Sequence, residues 1–124
     1  MIALSSILSL FVLLSGPELS FTKNRICDVG QIVEGEVAEV QVGIRNIGNE
    51  ELLILSAITT CNCTSVVYPK EPIKSQQEER IIIRVDTKGK FGQEKVVVKL
   101  LTNSPEKYAI IIVDIDVTDR KHNK

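Results

Sequence analysis

Apolar residues in this chain recur at every second position, and that period decides the fold class. From Val37 to Arg45, the residues Ala38, Val40, Val42 and Ile44 fall on one side of an extended backbone, while Glu39, Gln41 and Arg45 fall on the other. Successive side chains of a strand point to opposite faces, so this stretch predicts a strand with one face in a core and one in water. Arg80–Asp86 repeats the pattern, with Ile81, Ile83 and Val85 inward and Arg80, Arg84 and Asp86 outward. Glu94–Thr102 sets Val96, Val98 and Leu100 against Lys95 and Lys99, and Ala109, Ile111, Val113, Ile115 and Val117 oppose Asp114 and Asp116. An amphipathic helix would need a period near 3.6, and nothing beyond the N-terminal segment shows it.

Turn chemistry separates these runs at short intervals: Gly30–Gly35, Asn46–Asn49, Pro69–Ser75, Lys88–Gly92 and Asn103–Pro105. Leu52–Ile58 is apolar on both faces, which predicts a central strand or one covered on its outer side. With Ile26–Val29 and Ser65–Tyr68 added, about seven short strands emerge, the pattern of an all-β sandwich. There is no Trp, with two Tyr and three Phe, so the core must come from Val, Ile and Leu, which suit strands. A chain of 124 residues carries one such core. Lys+Arg 15 against Asp+Glu 16 leaves a net charge of −1 with no dense basic stripe, so the electrostatic footprint of nucleic-acid binding is missing.

The N-terminus is of another kind. Ile2–Leu14 is apolar apart from serines, and the first charged side chain is Glu18. Such a run is short for a membrane span, which needs about twenty residues, and suits the apolar region of a secretory signal. No Lys or Arg precedes it, and Leu14 stands where a cleavage site favours a small residue. Residues 1–20 are therefore read as a signal peptide or a membrane anchor. Export would place the protein in the periplasm, the cell envelope or the medium, in an oxidising space.

The one constellation with chemistry of its own is Cys61-Asn62-Cys63. On an extended backbone two residues apart project from the same side, bringing the sulfurs together. They could form a disulfide with each other or with Cys27, act as a redox-labile pair, or hold a soft metal such as Cu(I) or Zn(II). A closed zinc site needs four ligands, and only Cys27 and His122 remain as further soft donors. A bond within the pair sits near the upper limit of Cα separation if the backbone is extended. His122 lies in a polar tail with no orienting partner in view, so no Ser/His/Asp or Cys/His arrangement can be assembled. Asp114 and Asp116 share one strand face, the spacing of a calcium or acid–base pair, but alternation alone explains them. Asp28, Glu34 and Glu36 are read in the same way. No catalytic residue, cofactor site or firm metal site follows; Cys61 and Cys63 are the weak metal candidates, and Cys27, Cys61 and Cys63 the thiol or disulfide candidates.

An ordered series of short motifs then stands out: Asp28-Val29-Gly30, Glu34-Gly35-Glu36, Arg45-Asn46-Ile47-Gly48-Asn49 with Leu52 and Ile54, Thr60-Cys61-Asn62-Cys63-Thr64, Pro72-Ile73, Asp86-Thr87-Lys88-Gly89 with Gly92, and Thr102-Asn103. From Ile26 to Val117 it resembles the bacterial exported immunoglobulin-like family numbered fifteen-seventy-three among the domains of unknown function, which is similar to the ASPM–SPD–Hydin type of domain. The chain departs from the family at Val29, where an aromatic is usual, at Asn62, where glycine is usual, and at Ser75-Gln76, where Pro-Gly is usual. The resemblance implies an immunoglobulin-like sandwich over 21–118, followed by a polar tail over 119–124. It also implies a module of the cell envelope or secreted space with no established activity. With no catalytic constellation in the sequence, the chain is read as a non-catalytic binding or scaffolding module without a cofactor, whose partner is a protein or envelope component. Contact with membrane would come only through an uncleaved N-terminal segment. The alternative is a small thiol-redox or copper-binding protein using the Cys-Asn-Cys turn.

Overall fold

Strands form where Val, Ile and Leu alternate with polar residues, and the computed structural model, which describes residues 16–119, contains eight of them and no helix among those residues. They are β1 (Leu19–Phe21), β2 (Ile26–Val33), β3 (Val37–Asn46), β4 (Ile54–Thr59), β5 (Thr64–Val67), β6 (Glu78–Asp86), β7 (Gly92–Thr102) and β8 (Tyr108–Thr118). Two four-stranded sheets result, ordered β1-β3-β6-β5 and β2-β8-β7-β4. All pairings are antiparallel except β2 with β8, which run parallel. The chain changes sheet between β1 and β2, and again at β2–β3, β3–β4, β4–β5 and β6–β7; only β5–β6 and β7–β8 are hairpins within one sheet.

Between the sheets lies one aliphatic core. Ala38, Val42 and Ile44 of β3 and Ile81, Ile83 and Val85 of β6 face Val96, Val98 and Leu100 of β7 and Ile111, Val113, Ile115 and Val117 of β8, all buried. Leu52 and Ile73, joined by a bridge outside the strands, close one end. The alternation expected for β3, β6, β7 and β8 is therefore the observed one, except that Val40 is only half-buried. On the outer face of the first sheet, Arg45 pairs with Glu78 (2.6 Å) and Arg84 with Glu39 (2.7 Å) across neighbouring strands. Both pairs are solvated and contribute little.

Four sequence expectations change. First, β1 makes an eighth strand. Leu19 and Ser20, assigned by sequence to the signal or anchor, pair with Asn46 and Arg45 of β3; three residues are too few to show a period. The remainder of that segment, residues 1–15, lies outside the described residues. Second, Gly30 is no turn. It sits within β2 at a register shift beside Asp28, with φ of 78° and its N–H donating to Asp28 Oδ1 at 2.9 Å. It is a bulge of the kind glycine permits. Third, β4 is an edge strand, not a central one. Its register slips between Ile54 and Ser56, so Leu55 is an extra residue, and Leu55 and Ile58 are both 54 % exposed. A bulge, and not a second covering layer, explains the run that looked apolar on both faces. Fourth, β2 continues past Val29 to Val33, so the turn there is confined to Glu34-Gly35.

Gly48 locks the start of the domain. A β-carbon on it would meet the carbonyl oxygen of Gly16, the amide nitrogen of Glu18 and the carbonyl carbon of Pro17, all backbone atoms. Backbone cannot move aside as a flexible side chain does, so Gly48→Ala is expected to push Gly16–Glu18 off the β3–β4 turn. Amide hydrogen exchange at Ser20 and Thr22, the amides in and just after β1 on the side that bonds to β3, should then accelerate selectively. Unchanged protection of β1 in that variant would mean that the contact does not hold the strand.

Candidate functional site

The cysteine turn joins the two sheets. β4 ends at Thr59 in the second sheet and β5 begins at Thr64 in the first, and Cys61-Asn62-Cys63 makes the passage. Cys61 and Cys63 form a disulfide with a Cα separation of 5.1 Å. The extended geometry expected from sequence would hold those atoms roughly 6.6 Å apart; a turn shortens the distance and removes the objection to the bond. Asn62 stands exposed at the tip, while both cysteines are half-buried against the core.

The turn is tied on every side. Thr59 Oγ1 donates to the Cys61 carbonyl at 2.8 Å, and the Thr64 amide donates to the same oxygen at 3.2 Å. The Cys63 amide points at Cys61 Sγ (3.2 Å), and the Asp86 amide of β6 donates to the Cys63 carbonyl at 2.9 Å. Thr60 bonds twice to Val97 of β7, through its amide to the Val97 carbonyl and through Oγ1 as acceptor of the Val97 amide, both at 3.1 Å. The pair thus closes the turn at the crossover, half-buried against the core with Asn62 exposed at the tip.

Cys27 takes no part in it. On β2 it pairs with Val113, which pairs with Val96 of β7, and the cysteine turn lies beyond the far edge of that sheet. Three strand spacings amount to about 14 Å, double the reach of a disulfide. A bond from Cys27 to either partner, left open by the sequence, is therefore not formed. Its half-buried thiol is pushed above its usual pKa by desolvation, which makes it a sluggish nucleophile.

Three of the five acidic candidates make contacts within the fold, and Asp116 and Glu36 are placed on the outer face of β8 and at the β2–β3 turn. Asp28 caps the β2 bulge, Glu34 Oε2 accepts the Gly89 amide at 2.9 Å, and Asp114 faces Lys95 at 3.8 Å on the outer surface of the second sheet. Among the described residues no group of three or more His, Cys, Asp and Glu side chains assembles around a point where a metal could sit. His122 lies outside the described residues.

Sequence reasoning missed two buried polar hubs. Asn46, fully buried at the end of β3, accepts the Glu18 amide (3.2 Å) and the Gly48 amide (3.0 Å) on Oδ1 and donates from Nδ2 to the carbonyls of Glu50 (2.7 Å) and Ile73 (2.9 Å). Thr87, also fully buried, donates from Oγ1 to the Glu36 carbonyl at 2.5 Å and accepts the Gly35 amide at 3.0 Å. Asn-x-Gly and Asp-Thr-x-Gly mark turns in the sequence. The far partners of these side chains, 51 or 52 residues away for Thr87, cannot be read locally.

Two four-stranded layers around an aliphatic core, with repeated crossing between them, define an immunoglobulin-like β-sandwich domain. The chain belongs to the family described as protein of unknown function (DUF1573), which matches residues 19–117, from the first residue of β1 to the penultimate residue of β8. No curated protein matches the chain. Among solved structures it is similar to a protein of unknown function from Porphyromonas gingivalis W83, with a TM-score of 0.71 and 21 % identity, covering 83 % of this chain and 48 % of that one. It is also similar to the VesB protease of Vibrio cholerae (TM-score 0.65, 15 % identity, 79 % of this chain and 31 % of that one). A third likeness is to the ASH/PapD-like domain 7 of human CEP192 (TM-score 0.64, 10 % identity, 82 % and 85 %). The chain thus spans about half or less of the two bacterial proteins. At these identities the likenesses show the fold alone, the one that the motif series implied.

Proposed function

We propose that this chain is a non-catalytic module of the cell envelope or secreted space that binds or holds a protein or envelope component. The observation that carries the reading is the closed Cys61–Cys63 pair. The one constellation with chemistry of its own is consumed in a bond that fastens a crossover. Disulfides persist in oxidising compartments outside the cytosol, which accords with the apolar run Ile2–Leu14 as an export signal or anchor. Sandwiches of this class work through sheet faces and end loops as contact surfaces. A second reading, thiol exchange or Cu(I) handling, rests on the same pair of sulfurs.

One set of measurements separates the two. Native protein, acid-quenched and alkylated, is expected to carry the intramolecular disulfide, with Cys27 the single cysteine to react, and slowly. Its N-terminus is expected no later than Gly16, because Gly16 donates to Asn49 Oδ1 and accepts from the Asn49 amide. A chain beginning at Met1 in a soluble cytosolic fraction overturns the export reading. Reduced protein that keeps one Cu(I) against a strong chelator, and loses it on Cys61→Ser with Cys63→Ser, puts metal handling in place of scaffolding.

A further inference from the structure

The outer face of the second sheet is divided along its length. At one end, Lys95 and Asp114 stand opposite each other, as do Gln93 and Asp116, with Asp28 of β2 opposite Asp114. At the other end the outward residues of β7 and β8 are apolar apart from Lys99, and β4 sets Ser56 and Ile58 beside them. Leu101 pairs with Tyr108, Val97 with Ile112, and Ile58 and Ile110 flank Lys99 on its two sides. Ile58 and Tyr108 are about half exposed, at 54 % and 47 %. Lys99 stands in the middle, exposed, with Tyr108 5.9 Å away as the nearest ring and no ion pair among the described residues. Alongside runs the edge of β4, whose six residues, Ile-Leu-Ser-Ala-Ile-Thr, carry no charge and no proline to discourage a neighbour.

Chemistry and dimensions select the occupant. From Val97 to Leu101 is about 13 Å, and from β4 to β8 about 10 Å. That is far below the ~800 Å² per partner that a lasting dimer buries. A symmetric face-to-face pairing with a second copy would also set Lys99 against its own counterpart. A flat anionic bilayer would be repelled by Asp28, Asp114 and Asp116 on the same face. We infer that the apolar end of this face takes a short extended segment of another protein, with a carboxylate for Lys99 between two apolar side chains. Residues two apart on an extended peptide share a face at roughly the spacing of Val97, Lys99 and Leu101. The matching order is therefore apolar, any, acidic, any, apolar. The inference rests on the reading of the chain as a binding module.

Two capped heptapeptides test it in nuclear magnetic resonance titrations of the isotope-labelled protein. Both hold leucine–threonine–X–threonine–leucine at their centre, with X glutamate in one and lysine in the other. The glutamate peptide is expected to shift the amides of Ile58, Lys99 and Ile110, leaving those of Gln93 and Asp116 in place. It should bind about two- to fivefold tighter than the lysine peptide, the factor an exposed ion pair supplies. Lys99→Glu, a change on an exposed surface that leaves the fold alone, should reverse the order. Equal binding of both peptides, shifts confined to another surface, broadening of the same residues with protein concentration alone, or uptake on phosphatidylglycerol vesicles that Lys99→Glu abolishes each overturns the inference. Peptide bound elsewhere leaves the binding-module reading standing, because the N-terminal and thiol measurements decide that reading independently.

Discussion

Replacing Val98 by aspartate is expected to unfold the domain at neutral pH. Val98 is fully buried, as is Ile111, its cross-strand partner on β8. A carboxylate there would lie among aliphatic side chains, and the buried residues described include no cation to pair with it. Leaving a charge unpaired in such a place costs on the order of 4 kcal/mol, and the lost burial of the valine about 2 kcal/mol more. Together these exceed a stability at the lower end of the roughly 5–15 kcal/mol of a domain of this kind. Ile111→Asp should behave alike. One residue further along β7, Lys99→Asp faces water and gives up only a distant ring contact with Tyr108. Its effect on stability should stay within about 0.5 kcal/mol. Urea unfolding followed by circular dichroism distinguishes the cases. A folded Val98→Asp protein with a normal transition would mean that β7 is turned the other way.

That contrast rests on a register that was legible in the sequence, and the reason is physical. Where a strand has one wet and one dry face, a one-residue slip would exchange every side chain between them, so selection on the core leaves a period of two in β3, β6, β7 and β8. Where both faces are apolar, the period carries no information. Leu52–Ile58 could not report that Leu55 is a bulge residue at a sheet edge, because an exposed leucine and a covered leucine look the same in a string of letters. β1 was illegible for another reason. Its three residues follow an apolar run, and they are placed by Asn46 and Gly48, more than 25 residues away. The cysteine turn was half legible. The spacing identifies its two sulfurs as a pair, but it does not report the bonds at Thr59, Thr64 and Asp86 that fold the backbone around them into a turn.

The apolar end of the second sheet shows the same limit from the surface side. Tyr108, Ile110 and Ile112 alternate with Ala109, Ile111 and Val113, so that part of β8 is apolar throughout, while beyond it Asp114 and Asp116 restore the alternation. In the fold both parts lie on one outer face, and the switch marks a boundary on the surface between a solvated half and an apolar one. A feature of that kind becomes visible only once neighbouring strands supply Ile58, Val97 and Leu101 beside it.

Asn46→Ala is expected to cost roughly 3 kcal/mol, a large loss for one side chain that touches no ligand. The amide of Asn46 is saturated: two N–H groups reach Oδ1, from Glu18 and Gly48, and Nδ2 reaches the carbonyls of Glu50 and Ile73. Truncation strands these groups where water has little access, at about 1–3 kcal/mol for each one left unmet. The Ile73 carbonyl keeps the Leu52 amide at 2.9 Å, so the sum falls short of four full penalties. Asn46→Asp keeps the shape and both accepted bonds but turns an oxygen toward the Glu50 and Ile73 carbonyls. It should therefore cost at least as much, which separates lost hydrogen bonds from a simple cavity. Asn49→Ala, which gives up one exposed bond to the Gly16 amide, should cost less than about 1 kcal/mol. Chemical denaturation gives the three values, and amide exchange gives their location: in Asn46→Ala the amides of Glu18 and Gly48, which lose their acceptor, and of Thr22, which bonds to β3, should exchange ahead of global unfolding, since Asn46 helps to anchor β1. An Asn46→Ala protein as stable as the parent, with β1 still protected, would show that the strand is held by its pairing with β3 alone.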